Sequence, residues 1–138
     1  VVERRDPPRV PARRQQEMRE LVRLYGKTVK DVVRIKNRIK GTYREHGVGP
    51  KGETVYDPKH RDAWLRPVRR PAVHWMLDHL YQQLDFLEGH CESVACRMRG
   101  VMRRHPMYRR LQGIPGVGPV IASVLISVIA DPHRFATA

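Results

Sequence analysis

Two closely spaced glycines near residue 117 have the pattern of a backbone turn that binds phosphate. Gly116 and Gly118 flank Val117, and glycine adopts backbone dihedrals that other residues avoid. An apolar run follows, which predicts a buried helix, so we expect the N–H groups of both glycines at its positive N-terminal end, able to bind a phosphate oxygen while Val117 packs the turn. Arg109 and Arg110 precede the turn and lie on the expected approach of the phosphate. A tight helix-to-helix turn without a ligand is the alternative interpretation.

A second candidate surface is a stripe of cations on the first long helical segment. Its members recur at steps of four and three residues, which places them on one face of a helix, opposite an apolar face. Few acids interrupt the stripe, so it is predicted to contact nucleic-acid phosphates without reading base sequence. An ordinary solvated helix face is the alternative. The stripe comprises Arg19, Arg23, Lys27, Lys30, Arg34 and Arg38.

The overall charge favours a polyanionic partner. The chain of 138 residues has 27 Lys and Arg against 14 acids, a net charge of +13, and an excess of that size favours nucleic acid. The longest apolar run, 117–130, has about 14 residues and includes Gly118, Pro119 and two serines, whereas a membrane span needs about 20. We therefore expect DNA or RNA as the partner and no association with a membrane.

Proline and glycine divide the chain into three parts. Residues 1–12 are predicted to be a linker rich in Pro and Arg, because three prolines exclude a helix there. Residues 13–105 are predicted to form an arm of two long antiparallel coiled-coil helices, with a loop at 47–66 where Gly and Pro cluster. Residues 106–138 are predicted to form a helix-hairpin-helix unit around the turn. The expected fold class is all-α.

The second helix of the arm has an unbroken apolar heptad pattern. Its apolar residues alternate at steps of four and three, the spacing typical of a left-handed coiled coil. The partner helix lies either in the same chain or in another subunit, and in the second case the chain is a homo-oligomer. The seam comprises Leu77, Leu80, Leu84, Leu87, Cys91, Val94 and Met98.

No set of residues in the sequence indicates catalysis or metal binding. The spacing of Cys91 and Cys96 matches none of the common zinc signatures, and both are expected to be reduced. Ser123 and Ser127 lie in the apolar run without a His, Lys or acid placed to activate them, so we interpret them as packing residues. We predict no catalytic residue, no metal site and no cofactor within this chain.

Several of these segments resemble known families. The segment from Leu111 to Ile126 resembles the helix-hairpin-helix element of DNA glycosylases, helicases and other DNA binders without sequence specificity. Three segments in order resemble the insertion-sequence transposases that have an N-terminal RuvC-like DEDD domain and a C-terminal serine-bearing domain, which are similar to bridge-RNA-guided recombinases. These segments are Arg34 to Val48, the heptad helix, and Leu111 to Phe135 with its closing Arg134-Phe135 pair.

This resemblance implies a DNA-binding and assembly fragment of a transposase or recombinase that moves an insertion sequence by DNA transposition. It implies DNA as a partner, a structured guide RNA as a further one, and the cytoplasm of a prokaryote as the location, at the nucleoid when DNA is bound. The family's acidic tetrad would precede Val1 and its catalytic serine would follow Ala138, so 106–138 would be only the start of the transposase domain. The alternatives are a homo-oligomerising coiled-coil module and a helix-hairpin-helix binder of the DNA-repair type.

Overall fold

The structure, a computed structural model, describes residues 13–129, which form helices and contain no strand. It confirms the expected all-α class. The helices are α1 (Arg13–Glu45), α2 (Arg61–Leu65), α3 (Pro71–Met102), α4 (Pro106–Gln112) and α5 (Pro119–Val128), with a 3-10 turn at Thr54–Tyr56 between α1 and α2. The predicted linker 1–12 and the pair Arg134-Phe135 lie outside the described residues. Of the helices within 13–129, none combines the length and apolar character needed to cross a bilayer.

Helix α1 ends at a glycine that stops it. Gly47 has a φ of 79°, in the left-handed region that favours glycine. Its N–H donates to the carbonyl of Arg44 (3.1 Å), and the N–H of Val48 donates to the carbonyl of Tyr43 (2.9 Å). These two bonds satisfy carbonyls that the last helical turn would leave free, and they direct Val48 onto the core cluster that includes Tyr43.

The predicted loop at 47–66 includes two short helical segments. The 3-10 turn buries Val55 and Tyr56, and α2 buries Leu65. Asp57 lies between them and accepts a hydrogen bond from the N–H of Lys59 (3.0 Å). The segment is ordered because its few apolar side chains return to the core, and their burial outweighs the turn-forming tendency of the surrounding Gly and Pro residues.

Proline begins each of the last three helices. Pro71, Pro106 and Pro119 each occupy the first helical position, where the missing N–H is no loss and the fixed φ favours a helix. Residues 103–105 form the bend between α3 and α4, with the N–H of His105 donating to the carbonyl of Met102 (2.8 Å).

The chain packs into two units, each with its own hydrophobic core. The hairpin unit contains residues 13–25 and 94–129, and the tyrosine unit contains residues 26–93. Helices α1 and α3 each contribute residues to both units. Each core therefore depends on contacts between residues that are far apart in the sequence.

Aromatic and aliphatic side chains fill the tyrosine unit. Ile39 and Tyr43 of α1 pack in one cluster with Leu77 and Leu84 of α3, and none of the four has exposed surface. Trp64 of α2 meets Tyr43 edge-on, with ring centroids 6.3 Å apart. Because burial of one such side chain contributes about 1.5–3 kcal/mol, this cluster is the main source of the unit's stability.

Two buried tyrosine hydroxyls form a hydrogen-bonded chain within this core. The Tyr81 hydroxyl donates to the carbonyl of Val55 (2.8 Å), so the Tyr43 hydroxyl, 2.9 Å away, is the donor in the bond between the two tyrosines. Burial raises the pKa of both tyrosines, which keeps the hydroxyls protonated. The chain of bonds joins α1, α3 and the 3-10 turn.

Arg61 joins α2 to α3 through a two-point ion pair. Its guanidinium nitrogens donate to both carboxylate oxygens of Asp85 (2.8 and 2.6 Å) and to the carbonyl of Tyr56 (3.0 Å). The guanidinium also lies 4.5 Å from the centroid of the Tyr81 ring. The hydrogen bonds from Arg61 lower the pKa of Asp85. Since the Arg61 side chain is only 12% exposed, solvent screens this pair less than a surface pair.

The predicted heptad seam of α3 faces the inside of its own chain. Most of its side chains are buried, and none is fully exposed. The seam residues that belong to the two core clusters pack there together with residues of α1. For the clustered residues the packing partner is therefore intramolecular, while coiled-coil geometry remains a prediction. The buried members are Leu77, Leu80, Leu84, Val94 and Met98, and the half-buried members are Leu87 and Cys91.

Methionine dominates the core of the hairpin unit. Met18 of α1 and Met98 and Met102 of α3 are almost fully buried, in a cluster with Tyr108 of α4 and Ile126 of α5. Unbranched thioether side chains adapt to irregular gaps, which suits a site where four helices meet. The α4–α5 pair is thereby held against α1 and α3 within this unit.

Candidate nucleic-acid interface

The connection between α4 and α5 is a β-turn that requires glycine. The N–H of Val117 donates to the carbonyl of Ile114 (3.0 Å), with Pro115 and Gly116 at the two central positions. Gly116 has a φ of 84°, as the third residue of a type II turn does. Gly118 follows as the N-cap of α5 in an extended conformation, with φ −80° and ψ 178°. The order Pro-Gly-x-Gly-Pro therefore specifies this turn directly.

The turn leaves backbone N–H groups available to a ligand. Within residues 13–129, no hydrogen bond uses the N–H of Gly116, Gly118, Val120 or Ile121. A Cβ built on either glycine meets no atom within 4 Å, so the space in front of both is open. Val117 is half-buried and packs on the methionine core. Because the peptide dipoles of α5 add positive potential at this end, the turn can accept an anionic oxygen.

In the part of the hairpin unit from 94 to 129, four arginines are exposed and make no ion pair within the described residues. Arg103 and Arg104 lie at the bend after α3, and Arg109 and Arg110 lie on α4. From Val94 to Ile129 the sequence contains six arginines and no acid, so neighbouring side chains of this segment cannot neutralise them. Sequence reasoning identified the second pair and missed the first. The long interval without an acid was the signal that would have identified both.

His105 caps helix α4. Its Nδ1 accepts a hydrogen bond from the N–H of Met107 (3.2 Å). Burial, and then the nearby charge of Arg14, lower the pKa of His105. The neutral imidazole is therefore the form that caps the helix, and protonation at Nδ1 would remove the acceptor.

The opposite end of α5 is held by side chains of α1. Gln15 donates through Nε2 to the carbonyl of Ile126 (2.8 Å), and Arg19 donates through Nε to the carbonyl of Ser127 (2.8 Å). The last carbonyls of a helix lack partners within it, and a positive charge is favourable at this end. Arg19 was predicted for the cationic stripe, but it is half-buried and makes this structural contact.

The other stripe residues are exposed on α1. Arg34 pairs with Asp31 at 3.0 Å, and both side chains remain largely in solvent. Contact between these cations and nucleic acid stays a prediction. The exposed members are Arg23 in the hairpin unit and Lys27, Lys30, Arg34 and Arg38 in the tyrosine unit.

Helix α5 is less buried than its apolar sequence predicts. Ile121 and Val128 are 49% and 64% exposed, because a single helix face meets the methionine core. The buried serines use their hydroxyls locally: Ser123 donates to the carbonyl of Pro119 (2.8 Å) and Ser127 to that of Val124 (2.7 Å). Among residues 13–129, no three His, Cys, Asp or Glu side chains lie close enough together to hold a metal ion.

The fold and the site define an all-α protein with a cationic unit and a turn suited to an anionic ligand. Residues 108–138 match the model of a family described as Transposase IS116/IS110/IS902, a range that begins on α4 and includes the turn and α5. The match indicates a protein related to transposition. Comparisons with curated proteins and with solved structures gave no match.

Proposed function

We propose that this chain binds the phosphate backbone of DNA through its hairpin unit, as a DNA-binding part of a transposase. The observation that carries the proposal is the free N–H groups at the N-terminus of α5, close in sequence to four exposed arginines of 94–129 that have no acidic partner. The family match supports transposition as the process, because it coincides with the turn and α5. We assign both kinds of group to phosphate oxygens, and such contacts position a duplex without reading its sequence.

The proposal assigns binding and not catalysis to the described residues. Arg23 and the exposed lysines of α1 offer a further phosphate contact. A structured guide RNA is a second candidate ligand of the same groups, since these contacts do not depend on the 2′-hydroxyl. The chain would act in the cytoplasm, at the nucleoid when DNA is bound.

A pair of substitutions at Gly118 distinguishes an effect on phosphate binding by the turn from an effect on its folding. Aspartate and asparagine are both favoured at the N-cap, and the space around Gly118 is open, so both variants should fold at least as stably as the parent. Only Gly118→Asp places a negative charge where the phosphate would bind. We expect Gly118→Asp to weaken duplex binding about tenfold or more, through repulsion at a few ångströms, and Gly118→Asn to weaken it much less.

The measurement is fluorescence anisotropy with duplex DNA, and with a structured RNA, over a salt series. Binding by the parent should fall steeply with salt, with a slope that counts the phosphates engaged. Equal affinity of the aspartate and asparagine variants for DNA would exclude the turn as the phosphate site. Salt-insensitive or absent binding by the parent would overturn the proposed function. Thermal unfolding of both variants provides the control for folding.

A further inference from the structure

The outward face of α3 in the tyrosine unit is exposed and rich in aromatic rings. Trp75 is 65% exposed and Phe86 is 73% exposed, while the opposite side of the same helix packs in the core. Trp75 stacks edge-on with His79, with ring centroids 4.0 Å apart, and Phe86 is parallel to His90 at 6.3 Å. Large aromatic side chains exposed together on a helix mark an interaction site more often than single exposed apolar residues do.

This face differs in charge from the rest of the chain. The chain carries a net charge of +13, yet no Lys or Arg occurs from Pro71 to Cys96. Asp78 and Asp85, which are exposed, lie along one edge of the face. A nucleic acid would find no Lys or Arg of α3 for its phosphates here, and the guanidinium of Arg61 at the edge of the face is already paired with Asp85. Two copies of a chain this basic repel each other least where positive charge is absent.

The order of side chains on the face is nearly symmetric about the midpoint between Gln82 and Gln83. Moving outward from the two glutamines, His79 corresponds to Phe86, and Trp75 corresponds to His90. An antiparallel copy related by a two-fold axis at this midpoint would place Trp75 on the partner's His90, His79 on the partner's Phe86, and Gln82 on the partner's Gln83. Such a two-fold contact uses the same patch on both subunits.

We propose that a second copy of this chain docks antiparallel on the outward face of α3, about a two-fold axis at Gln82 and Gln83. The pairing joins aromatic rings to imidazoles and primary amides to primary amides, which complement each other as stacked and hydrogen-bonded pairs. An open pocket of about 590 Å³ lies in the middle of this face and is lined by His79, Gln82, Gln83, Phe86 and Leu87, so the partner's rings would enter it beside this chain's own Phe86. This surface is separate from the heptad seam, whose clustered side chains are already covered within the chain.

The face runs from Trp75 to His90, which is about 22 Å along a helix at 1.5 Å per residue. Each subunit would contribute its two large rings, and an aromatic side chain buries about 150–250 Å² when fully covered. The contact is therefore near the lower limit for a specific interface, about 1,000 Å² in total. A reversible dimer in the micromolar range is the expected outcome.

Sedimentation velocity over a micromolar concentration series, without nucleic acid, tests the docking. The parent should show a monomer–dimer equilibrium, and Trp75→Arg with Phe86→Arg should shift it at least tenfold toward monomer. Val33→Arg is the matched control, because Val33 is a 50% exposed apolar residue of α1 in the same unit. A parent that stays monomeric throughout, or a Val33→Arg effect as large as that of the double variant, would overturn the proposal.

Paired substitutions at the midpoint test the register. Gln82→Glu with Gln83→Lys would create two opposite-charge pairs across the two-fold axis and should preserve the dimer. Gln82→Glu with Gln83→Glu would create like-charge pairs and should weaken it. Equal weakening by both would overturn the antiparallel register.

If Trp75→Arg with Phe86→Arg instead abolished binding of single-stranded RNA by a monomeric chain, the face would be a base-stacking surface and the dimer proposal would be wrong. None of these outcomes depends on the hairpin turn.

Discussion

The hairpin unit and the tyrosine unit use charge in opposite ways. In its described residues the hairpin unit has ten Lys and Arg and two acids, whereas the tyrosine unit has thirteen and nine. Several cations of the tyrosine unit pair with acids, as Arg61 does with Asp85 and Lys36 with Glu88. The two units therefore differ in their balance of acids and bases, and we expect a polyanion to bind where the cations lack acidic partners.

The two hydrophobic cores also differ in the side chains that fill them. The tyrosine unit buries hydroxyls that bond to each other and to a backbone carbonyl, which fixes the relative positions of its elements. The hairpin unit packs its last helix on flexible methionines, and Gln15 and Arg19 bond to the carbonyls at the C-terminal end of that helix. A hydrogen-bonded aromatic core suits a structural role, whereas the hairpin unit presents unpaired arginines on its surface.

Removing the unpaired arginines should have the largest effect. Substitution of four phosphate contacts lowers duplex affinity about a thousandfold at about 0.15 M salt and reduces the salt slope by about 3.6, since each contact contributes about 0.9 to that slope. Anisotropy across a salt series measures both quantities. The variant combines Arg103→Ala, Arg104→Ala, Arg109→Ala and Arg110→Ala.

A matched variant in the tyrosine unit controls for net charge. It removes four exposed cations that make no ion pair within the described residues, so the total charge changes equally. We expect only a small general loss of affinity and little change in slope. Equal losses in both quadruple variants would show that total charge, and not the hairpin unit, determines binding. The control combines Lys59→Ala, Arg66→Ala, Arg69→Ala and Arg70→Ala.

The second largest effect concerns the core of the tyrosine unit. Leu84 has no exposed surface, so Leu84→Ala should lower the free energy of unfolding by about 2–5 kcal/mol, from lost burial and the cavity left behind. Duplex affinity measured below the unfolding transition should stay near the parent value. Leu24→Ala, at a 42% exposed position, is the control and should change stability little. A comparable loss in both variants would contradict the packing described for α3.

The tyrosine pair should give a smaller loss. Tyr81→Phe removes the donor to the Val55 carbonyl and the acceptor of the Tyr43 hydroxyl, leaving both buried groups unsatisfied. We expect a loss of about 1–3 kcal/mol in urea unfolding. An unchanged midpoint for Tyr81→Phe would mean that the hydroxyl chain contributes nothing to stability.

The smallest expected effect is a pH dependence confined to the hairpin unit. The folded pKa of His105 is lowered below its unfolded value of about 6.5, so the folded unit binds fewer protons than the unfolded chain. Its contribution to stability is therefore fully present above about pH 6.5 and declines as the pH falls. Thermal unfolding between neutral and mildly acidic pH should show this decline for the parent and less of it for His105→Asn, which retains a cap without a titrating ring. An identical pH profile for both would remove His105 as the cause.

Local patterns in the sequence predicted part of this structure. The extent of α1 follows from a long interval without proline, and the turn at Gly116 follows from Pro-Gly-x-Gly-Pro, because these residues restrict φ wherever they occur. The two short segments near Tyr56 and Trp64 could not be predicted, since their order depends on burial against α1 and α3. The role of Arg19 was missed for the same reason, because the carbonyl of Ser127 that it contacts is 108 residues away in the sequence.

The sequence by itself determined the all-α class, the glycine turn between α4 and α5 and the excess of positive charge, because backbone restriction, apolar periodicity and composition act over a few residues. Only the tertiary structure decided which side of α3 is covered. The heptad leucines predict a seam but not its partner, and packing with α1 buries most of them within the chain. That choice leaves Trp75 and Phe86 in solvent, because they lie on the opposite side of the helix and no described element covers that side.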